Sequence, residues 1–161
     1  MGNLCTQILK SRGLGVTSVD TDPRRLELLG KYDVDTLSEL GGLDRFDYLV
    51  EASGNEQVLP HLIEHSKPSA RILLLGLPYT TPVLATFSTV TSYDKVIVGS
   101  VASRPADWKQ AISLVHKGAI NLEDHTAVVE PLDSYQKVWE SLENREQFKV
   151  LLRVSKELEN L

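Results

Sequence analysis

Asp20 is the residue whose type and position offer the clearest chemistry in this sequence. It ends the stretch 14–19, where Val16 and Val19 favour a short buried strand, and it precedes a helix start at Asp22-Pro23. A carboxylate at the C-terminal tip of such a strand can accept two hydrogen bonds from a ribose diol, and it repels a phosphate attached there. The sequence therefore favours Asp20 as a ribose ligand over the alternative of a surface carboxylate at a strand end.

Three small residues also stand where predicted strands end. Gly54 and Gly76 lack a side chain that would hinder a ligand at the carboxyl edge of a sheet, although ordinary turn glycines are an equal alternative. Ser100 follows a glycine after another strand, and serine is common in such turns as well.

A pattern typical of one class of zinc proteases occurs at His61-Leu62-Ile63-Glu64-His65, with two histidines on one helical face. We reject a metal site there because Pro60 abuts the motif, the predicted helix is short and no third ligand is marked. His116 and His125 are interpreted as a helix C-terminal cation and a loop residue. Cys5 is interpreted as a small packing residue rather than a nucleophile, since no base is paired with it in sequence.

Strands and helices alternate along the chain that must position these residues. Helices are predicted over 2–12, 22–30, 56–65, 108–115 and 135–142, the last with Asp133 as its cap, and strands over 14–19, 34–36, 46–52, 71–75, 95–101 and 148–154. The threonine-rich stretch from Thr80 to Thr91 predicts an edge strand because it contains Pro82. The alternation predicts an α/β fold with a mostly parallel sheet and helices on both faces. We expect one domain, with residues from about 103 onward forming a helix–strand extension.

Composition limits the classes of partner. The 161 residues are 42% hydrophobic and 24% charged, which is ordinary globular usage, and the net charge of −5 provides no basic field for nucleic acid or an anionic membrane. The single cysteine excludes an internal disulfide and a zinc site built from several thiolates. No run approaches membrane-spanning length and no signal peptide is recognised, so we expect a cytoplasmic protein.

Several short motifs together carry a family resemblance. Their order is GNLC at 2–5, the strand ending in Asp20, VEASG at 50–54, ILLLGLP at 72–78, KVIVGS at 95–100 and KVLL at 149–152. In this order and spacing they resemble the nucleotide-binding half of medium-chain, zinc-type alcohol and polyol dehydrogenases, over nearly the whole chain. Of the family fingerprint G-x-G-x-x-G, Gly2 matches the middle glycine and Cys5 replaces the third, while the first glycine and the strand before it are absent.

The resemblance implies a Rossmann-like, doubly wound domain that lacks its first strand. It also implies that NAD, less favourably NADP, is the cofactor, and that zinc belongs only to a catalytic half with no counterpart in this sequence. The implied cofactor-binding residues are Gly2, Asn3, Leu4, Asp20, Ala52, Gly54, Gly76, Leu77, Ser100 and Lys149. A solvated strand-end side chain is the alternative reading of Lys149.

The leading interpretation is the NAD-binding portion of an alcohol or polyol dehydrogenase, which is not expected to catalyse the reaction alone. An S-adenosylmethionine-dependent methyltransferase is an alternative, because that fold also places an acidic residue at the second strand's tip. A non-catalytic module that senses a nucleotide or assembles with partners is another.

The absent first strand has a structural consequence. In the order 3-2-1-4-5-6 that strand is central, so the strands around 16–19 and 48–50 would face a gap with unpaired edges. We expect the gap to be repaired by rearranged or exchanged strands. By family resemblance we also expect a homodimer through an edge strand from Val83 to Thr89.

Overall fold

The computed structural model describes residues 1–76, 82–126 and 128–155, except the side chain of residue 126. Two compact units are distinguished, Met1–Ala119 and Ile120–Leu161. The elements of the first unit are α1 (Gly2–Ser11), β1 (Thr17–Val19), α2 (Pro23–Gly30), β2 (Asp35–Leu37), β3 (Tyr48–Glu51), α3 (Val58–His65), β4 (Arg71–Leu74), α4 (Ser88–Ser92), β5 (Val96–Gly99) and α5 (Pro105–His116), with a 3-10 turn at Leu43–Arg45. The second unit contains α6 (Glu123–Thr126), β6 (Val128–Pro131), a 3-10 turn at Leu132–Ser134, α7 (Tyr135–Glu143) and β7 (Val150–Arg153).

All strand pairs among the described residues are parallel, which confirms the predicted α/β class. β1 pairs with β2, β4 lies between β3 and β5, and β6 pairs with β7. In the three-stranded sheet Tyr48 is in register with Arg71, and Arg71 with Val96. The carboxyl ends of β3, β4 and β5 therefore meet at one edge, where the predicted site residues follow the strands.

The turn after β1 forms as predicted because its signals are local. Asp22 is the N-cap of α2, its Oδ1 accepting the Arg24 N–H at 2.9 Å, and Pro23 occupies the first helical position. The Arg24 guanidinium also donates to Asp22 Oδ2 at 2.7 Å. This side-chain hydrogen bond from Arg24 is the main reason that the pKa of Asp22 falls to about 2.

The core of the first unit lies on one face of the three-stranded sheet. Leu49 of β3 and Ile72 of β4 project toward α3, whose Leu62 and Ile63 are buried against them together with Ala70. Strand alternation places Leu49 and Ile72 on this face, so burial of their side chains supplies the main force that holds α3 on the sheet.

A buried lysine closes the C-terminal end of α3. Lys95, the residue before β5, donates from Nζ to the carbonyl oxygens of Ile63 at 2.6 Å and Ser66 at 2.7 Å. Its charge complements the negative end of the helix dipole, whereas burial lowers the pKa of the ammonium group. Lys95 thereby ties α3 to β5.

The predicted edge strand is wrong for the residues that the structure describes. Residues 82–86 are irregular and α4 begins at Ser88, so Val83 to Thr89 contains no strand; residues 77–81 lie outside the described part. Thr89 Oγ1 donates to the Thr86 carbonyl at 2.9 Å, while Ala85 and Val90 pack against the core. Local hydrogen bonding and tertiary packing therefore override the β-propensity of these threonines and valines.

Repair of the gap by a rearranged strand is also wrong within the described chain. β1 pairs only with β2, β3 pairs only with β4, and no described strand lies between β1 and β3. The reason is that the other apolar strand segments, which could have filled the gap, are already committed to β4, β5 and β7 in ladders of their own. Exchange of strands between copies remains a prediction.

The second unit corrects the sequence prediction in two places. β6 was not expected, yet it pairs in register with the predicted final strand, Val128 opposite Val150. Asp133 lies in the 3-10 turn before α7, whose N-cap is Ser134, so Asp133 is not the cap residue. A strand as short as β6, ending on a proline, gives little periodic signal.

Candidate functional site

The ends of four strands and one helix supply the candidate site. Asp20 directly follows β1, Ala52 directly follows β3 and Ser100 directly follows β5, whereas Gly76 stands two residues after β4. Helix α1 begins at Gly2, where an added Cβ would lie 3.8 Å from Ala52 Cβ. Gly2 and Ala52 are therefore close neighbours at the carboxyl edge.

A side-chain hydrogen bond also links helix α1 to β1. The hydroxyl oxygens of Thr6 and Ser18 are 2.8 Å apart, and Thr6 is buried. Together with the approach of Gly2 to Ala52, this hydrogen bond places α1 across the interval from β1 to the end of β3. The structure therefore brings Gly2 and Ala52 together.

The Asp20 carboxylate is partly exposed, with its side chain 27% accessible. Oδ1 accepts the Asp22 N–H at 3.0 Å, and Oδ2 lies 3.5 Å from Nη1 of Arg25. A carboxylate offers about four acceptor positions, so further hydrogen bonds from a ligand hydroxyl can be accepted. Arg25 was not expected from the sequence, and it places a positive charge beside the proposed ribose ligand.

The N-terminus of α1 presents backbone donors toward the carboxyl edge. Met1 is the N-cap, no side chain caps the helix, and the first N–H groups belong to Gly2, Asn3 and Leu4. Such groups, with the positive end of the helix dipole, suit an anion. The Asn3 side chain is engaged inside the helix, where its Oδ1 accepts from Gln7 Nε2 at 2.7 Å.

A buried carboxylate that the sequence reasoning missed shapes the turn after β3. Glu51 is 4% exposed, and its Oε1 accepts the N–H of Ser53 at 2.7 Å, the hydroxyl of Ser53 at 2.6 Å and the N–H of Gly54 at 2.9 Å. Strand alternation could have revealed it, because Glu51 is two residues from buried Leu49 and shares its face. A buried acid is kept only when hydrogen bonds satisfy it, and this one fixes the Ser53–Gly54 turn.

Gly76 is required by the same turn. A Cβ at Gly76 would overlap Glu51 Oε2 and lie 2.5 Å from Gly54 N and 2.9 Å from Gly54 Cα. The ends of β3 and β4 therefore touch through backbone atoms. This packing requirement explains Gly76 whether or not a ligand approaches it, while Gly54 has a positive φ of 72°, which favours glycine.

The other predicted site residues are placed as follows. Ser100 is exposed, and its N–H donates to the Leu74 carbonyl at 3.1 Å, so it continues the β5 ladder. Lys149 is exposed and precedes β7 in the second unit. Leu77 lies outside the described residues.

The residues set aside as catalytic candidates behave as follows. Burial raises the pKa of the Cys5 thiol, which disfavours the thiolate that a nucleophile needs. The rings of His61 and His65 lie 4.3 Å apart between centroids. In the described ranges, no group of three or more histidine, cysteine or acidic side chains could hold a metal ion. Nor does any described helix have the length and apolar character needed to cross a membrane.

Comparison with known proteins gives one family and one fold. The family profile described as zinc-binding dehydrogenase matches residues 1–117. A sorbitol dehydrogenase of Halalkalibacterium halodurans is 25% identical over 166 residues, covering 94% of this chain and 48% of that protein.

Solved structures extend the likeness to the backbone. A short chain alcohol dehydrogenase of E. coli CFT073 complexed with NADH has a TM-score of 0.78 and 20% identity, covering 91% of this chain and 47% of that one. An alcohol dehydrogenase of Thermus sp. ATN1 has a TM-score of 0.81 and 17% identity, covering 94% and 49%. The chain thus has the fold of part of these proteins and spans about half of their length.

Proposed function

This chain belongs to the zinc-binding dehydrogenase family, and from that premise we propose that it is the NAD-binding portion of an alcohol or polyol dehydrogenase. The observation that carries the proposal is the partly exposed Asp20 carboxylate at the carboxyl end of β1. A dinucleotide fold places the acceptor of the ribose hydroxyls at this position. The family match leaves the methyltransferase alternative without support.

The described residues suit three parts of a dinucleotide, which are the adenosine ribose, the pyrophosphate and the nicotinamide. Asp20 retains acceptor capacity for the adenosine ribose. The backbone donors at the start of α1 suit the pyrophosphate, and Ala52 leaves room beside Gly2 at the edge between them. Gly54, Gly76 and Ser100 then follow along the same edge toward the nicotinamide. We also propose contacts from Leu77 and Lys149.

NAD is proposed over NADP because Asp20 would repel a 2′-phosphate. Arg25 works in the opposite direction, since a guanidinium beside the ribose can pair with that phosphate. In the folded chain the Arg25 Nη1 lies 3.5 Å from the Asp20 carboxylate, which engages it. The preference for NAD therefore depends on Asp20 holding Arg25.

The contribution of this chain to catalysis is to bind and orient the cofactor. When NAD is bound, its nicotinamide ring supplies the hydride chemistry, and the edge residues hold the ring in place. We propose that the zinc ligands and the alcohol site belong to the other half of a complete enzyme. A non-catalytic module that only senses the nucleotide would also bind NAD. Turnover measured on the complete protein distinguishes such a module from a portion of an enzyme.

We further propose a homodimer through the segment Val83 to Thr89, although it contains no described strand. Two exposed apolar side chains support this proposal, Leu84 at 89% and Phe87 at 58%. Sedimentation of the chain and of the variant Leu84→Glu at micromolar concentration tests it, and a wild-type monomer would contradict it. A cytoplasmic location stays a prediction for cell fractionation to test.

Isothermal titration with NAD, NADP and S-adenosylmethionine tests cofactor binding. We expect NAD to bind most tightly, and Asp20→Ala to weaken NAD at least about tenfold, since two hydrogen bonds to a charged acceptor are lost. Asp44→Ala is the matched control, because it removes the same charge from an exposed position in the 3-10 turn at Leu43–Arg45. Equal effects of the two substitutions, or tighter binding of S-adenosylmethionine, would overturn the proposal.

A further inference from the structure

Glu51 accepts hydrogen bonds from the ends of two strands at the carboxyl edge. Its backbone carbonyl accepts the N–H groups of Leu75 at 2.8 Å and Gly76 at 3.0 Å, which follow β4. Its side-chain Oε1 accepts the three donors of the Ser53–Gly54 turn, which follows β3. A residue that is only 4% exposed therefore joins the two strand ends.

The charge of the Glu51 side chain has no described partner of opposite sign. None of the ion pairs among the described residues includes Glu51, and none of those residues donates a hydrogen bond to its Oε2. All hydrogen bonds of the side chain are accepted ones, as in an ionised carboxylate, which has no donor. Glu51 therefore holds a negative charge that hydrogen bonds stabilise but no described cation neutralises.

The Oε2 oxygen of Glu51 lies against Gly76. A Cβ at Gly76 would overlap this oxygen, so no side chain separates Oε2 from a group that rests on the glycine. A ring in van der Waals contact with Gly76 would lie within about 8 Å of Oε2. At that separation an unneutralised charge acts on a bound ring without touching it.

We propose that Glu51 is a specificity-determining residue, whose charge favours the oxidised form of the cofactor. This inference rests on the proposed function, in which the nicotinamide lies toward Gly54 and Gly76. The nicotinamide ring is positively charged in NAD⁺ and neutral in NADH, so a nearby carboxylate stabilises only the oxidised ring. The adenosine and pyrophosphate are the same in both forms, and their contacts cancel in the ratio of the two dissociation constants.

A purely structural role, in which Glu51 only holds the turn, makes a different prediction. Glutamine keeps an Oε1 acceptor for Ser53 and Gly54 and removes the charge. At an effective dielectric constant of about 20, two unit charges about 8 Å apart change a dissociation constant about 30-fold. Because three hydrogen bonds disperse part of the carboxylate charge, we expect about a tenfold effect.

Isothermal titration of the full 161-residue chain with NAD⁺, NADH and ADP-ribose tests the proposal. We expect Glu51→Gln to weaken NAD⁺ about tenfold relative to NADH, and to change ADP-ribose, which lacks the ring, less than about twofold. Ser53→Ala is the control for the turn, because it removes one hydrogen bond from Oε1 and keeps the charge. Glu64→Gln is the control for charge, because Glu64 is exposed in the last turn of α3. Both controls should leave the ratio of NAD⁺ to NADH affinity within about twofold of the wild type.

A second probe needs only the wild-type chain. Benzamide adenine dinucleotide carries a ring of the same size as that of NAD⁺, with the same carboxamide but without the charge. We expect the wild type to bind NAD⁺ about tenfold more tightly than this probe. Equal affinities would overturn the proposal even if Glu51→Gln did not fold.

Two results with Glu51→Gln would also overturn the proposal. A ratio of NAD⁺ to NADH affinity within about twofold of the wild type would show that the charge does not select the oxidised ring. Equal weakening of NAD⁺, NADH and ADP-ribose would assign Glu51 a structural role only. Failure of the wild type to bind either cofactor is a distinct result, which would refute the proposed function and, with it, the site on which Glu51 acts.

Discussion

Replacing Asp20 by serine is expected to shift the cofactor preference toward NADP. A 2′-phosphate bound beside Asp20 would lie about 4 Å from its carboxylate, where repulsion of unit charges is about 1 kcal/mol in water and about 4 kcal/mol near a protein surface. Since the Asp20 side chain is 27% exposed, we place the repulsion between these limits, at about 2 kcal/mol. Its removal corresponds to about a 30-fold change in the ratio of the two dissociation constants.

Arg25 is expected to add to this change. In Asp20→Ser the guanidinium loses the carboxylate 3.5 Å away, and the phosphate can take the place of that carboxylate. The double variant Asp20→Ser, Arg25→Gln removes the repulsion without supplying the new ion pair. Its shift toward NADP should therefore be smaller than that of the single variant.

Titration calorimetry with both cofactors on the wild type and the two variants measures these ratios. The reasoning requires a clear shift toward NADP in Asp20→Ser and a reduced shift in the double variant. A ratio within about twofold of the wild type in Asp20→Ser would refute the role of Asp20 as the selector. Equal shifts in both variants would refute the role of Arg25.

Three further predictions concern the framework of the site. Gly76→Ala should lower the free energy of unfolding in urea by about 2 kcal/mol, because its Cβ would meet Glu51 and the Gly54 backbone. Gly99→Ala is the control, since a Cβ at Gly99 would have nothing within 4 Å. Equal losses of stability in the two variants would contradict the contact at Gly76. Lys95→Met should cost about 2–4 kcal/mol in the same assay, since two carbonyls lose a charged donor, and a loss below about 1 kcal/mol would count against this role. The folded-state pKa of Asp22, about 2, is lower than its ordinary 3.8, so its stabilising effect is present above pH 3.8 and lost as the pH falls toward 2. In Asp22→Asn the side chain still caps the helix but does not titrate, so the stability of this variant should depend less on pH in this range. Identical pH profiles of stability for the variant and the wild type would contradict the prediction.

Sequence reasoning succeeded where a signal is local and failed where tertiary contacts decide. The Asp22-Pro23 start of α2 was predictable because cap and helix are neighbours in the chain. The stretch from Val83 to Thr89 was not, because packing of Ala85 against the core outweighs the β-propensity of the segment.

The residues of the candidate site also separate into those identified from local signals and those that depend on tertiary contacts. Asp20 was identified from the strand and helix signals on either side of it, and the structure places it at the end of β1. Arg25 and Glu51 were missed, since their importance depends on which groups the fold brings to them. Periodicity shows which face of a strand is buried, but it does not show that a buried acid holds a turn.

The backbone contact at Gly76 limits how this edge of the sheet could change during evolution. Any single substitution there introduces a Cβ that meets Gly54 N at 2.5 Å, so Gly76 offers no position for trying new side chains. The corner between β1 and α2 is permissive by contrast, since Thr21 and Arg25 are exposed. New ligand preferences in descendants of this chain would therefore arise first at that corner, by changes that leave the sheet ends intact.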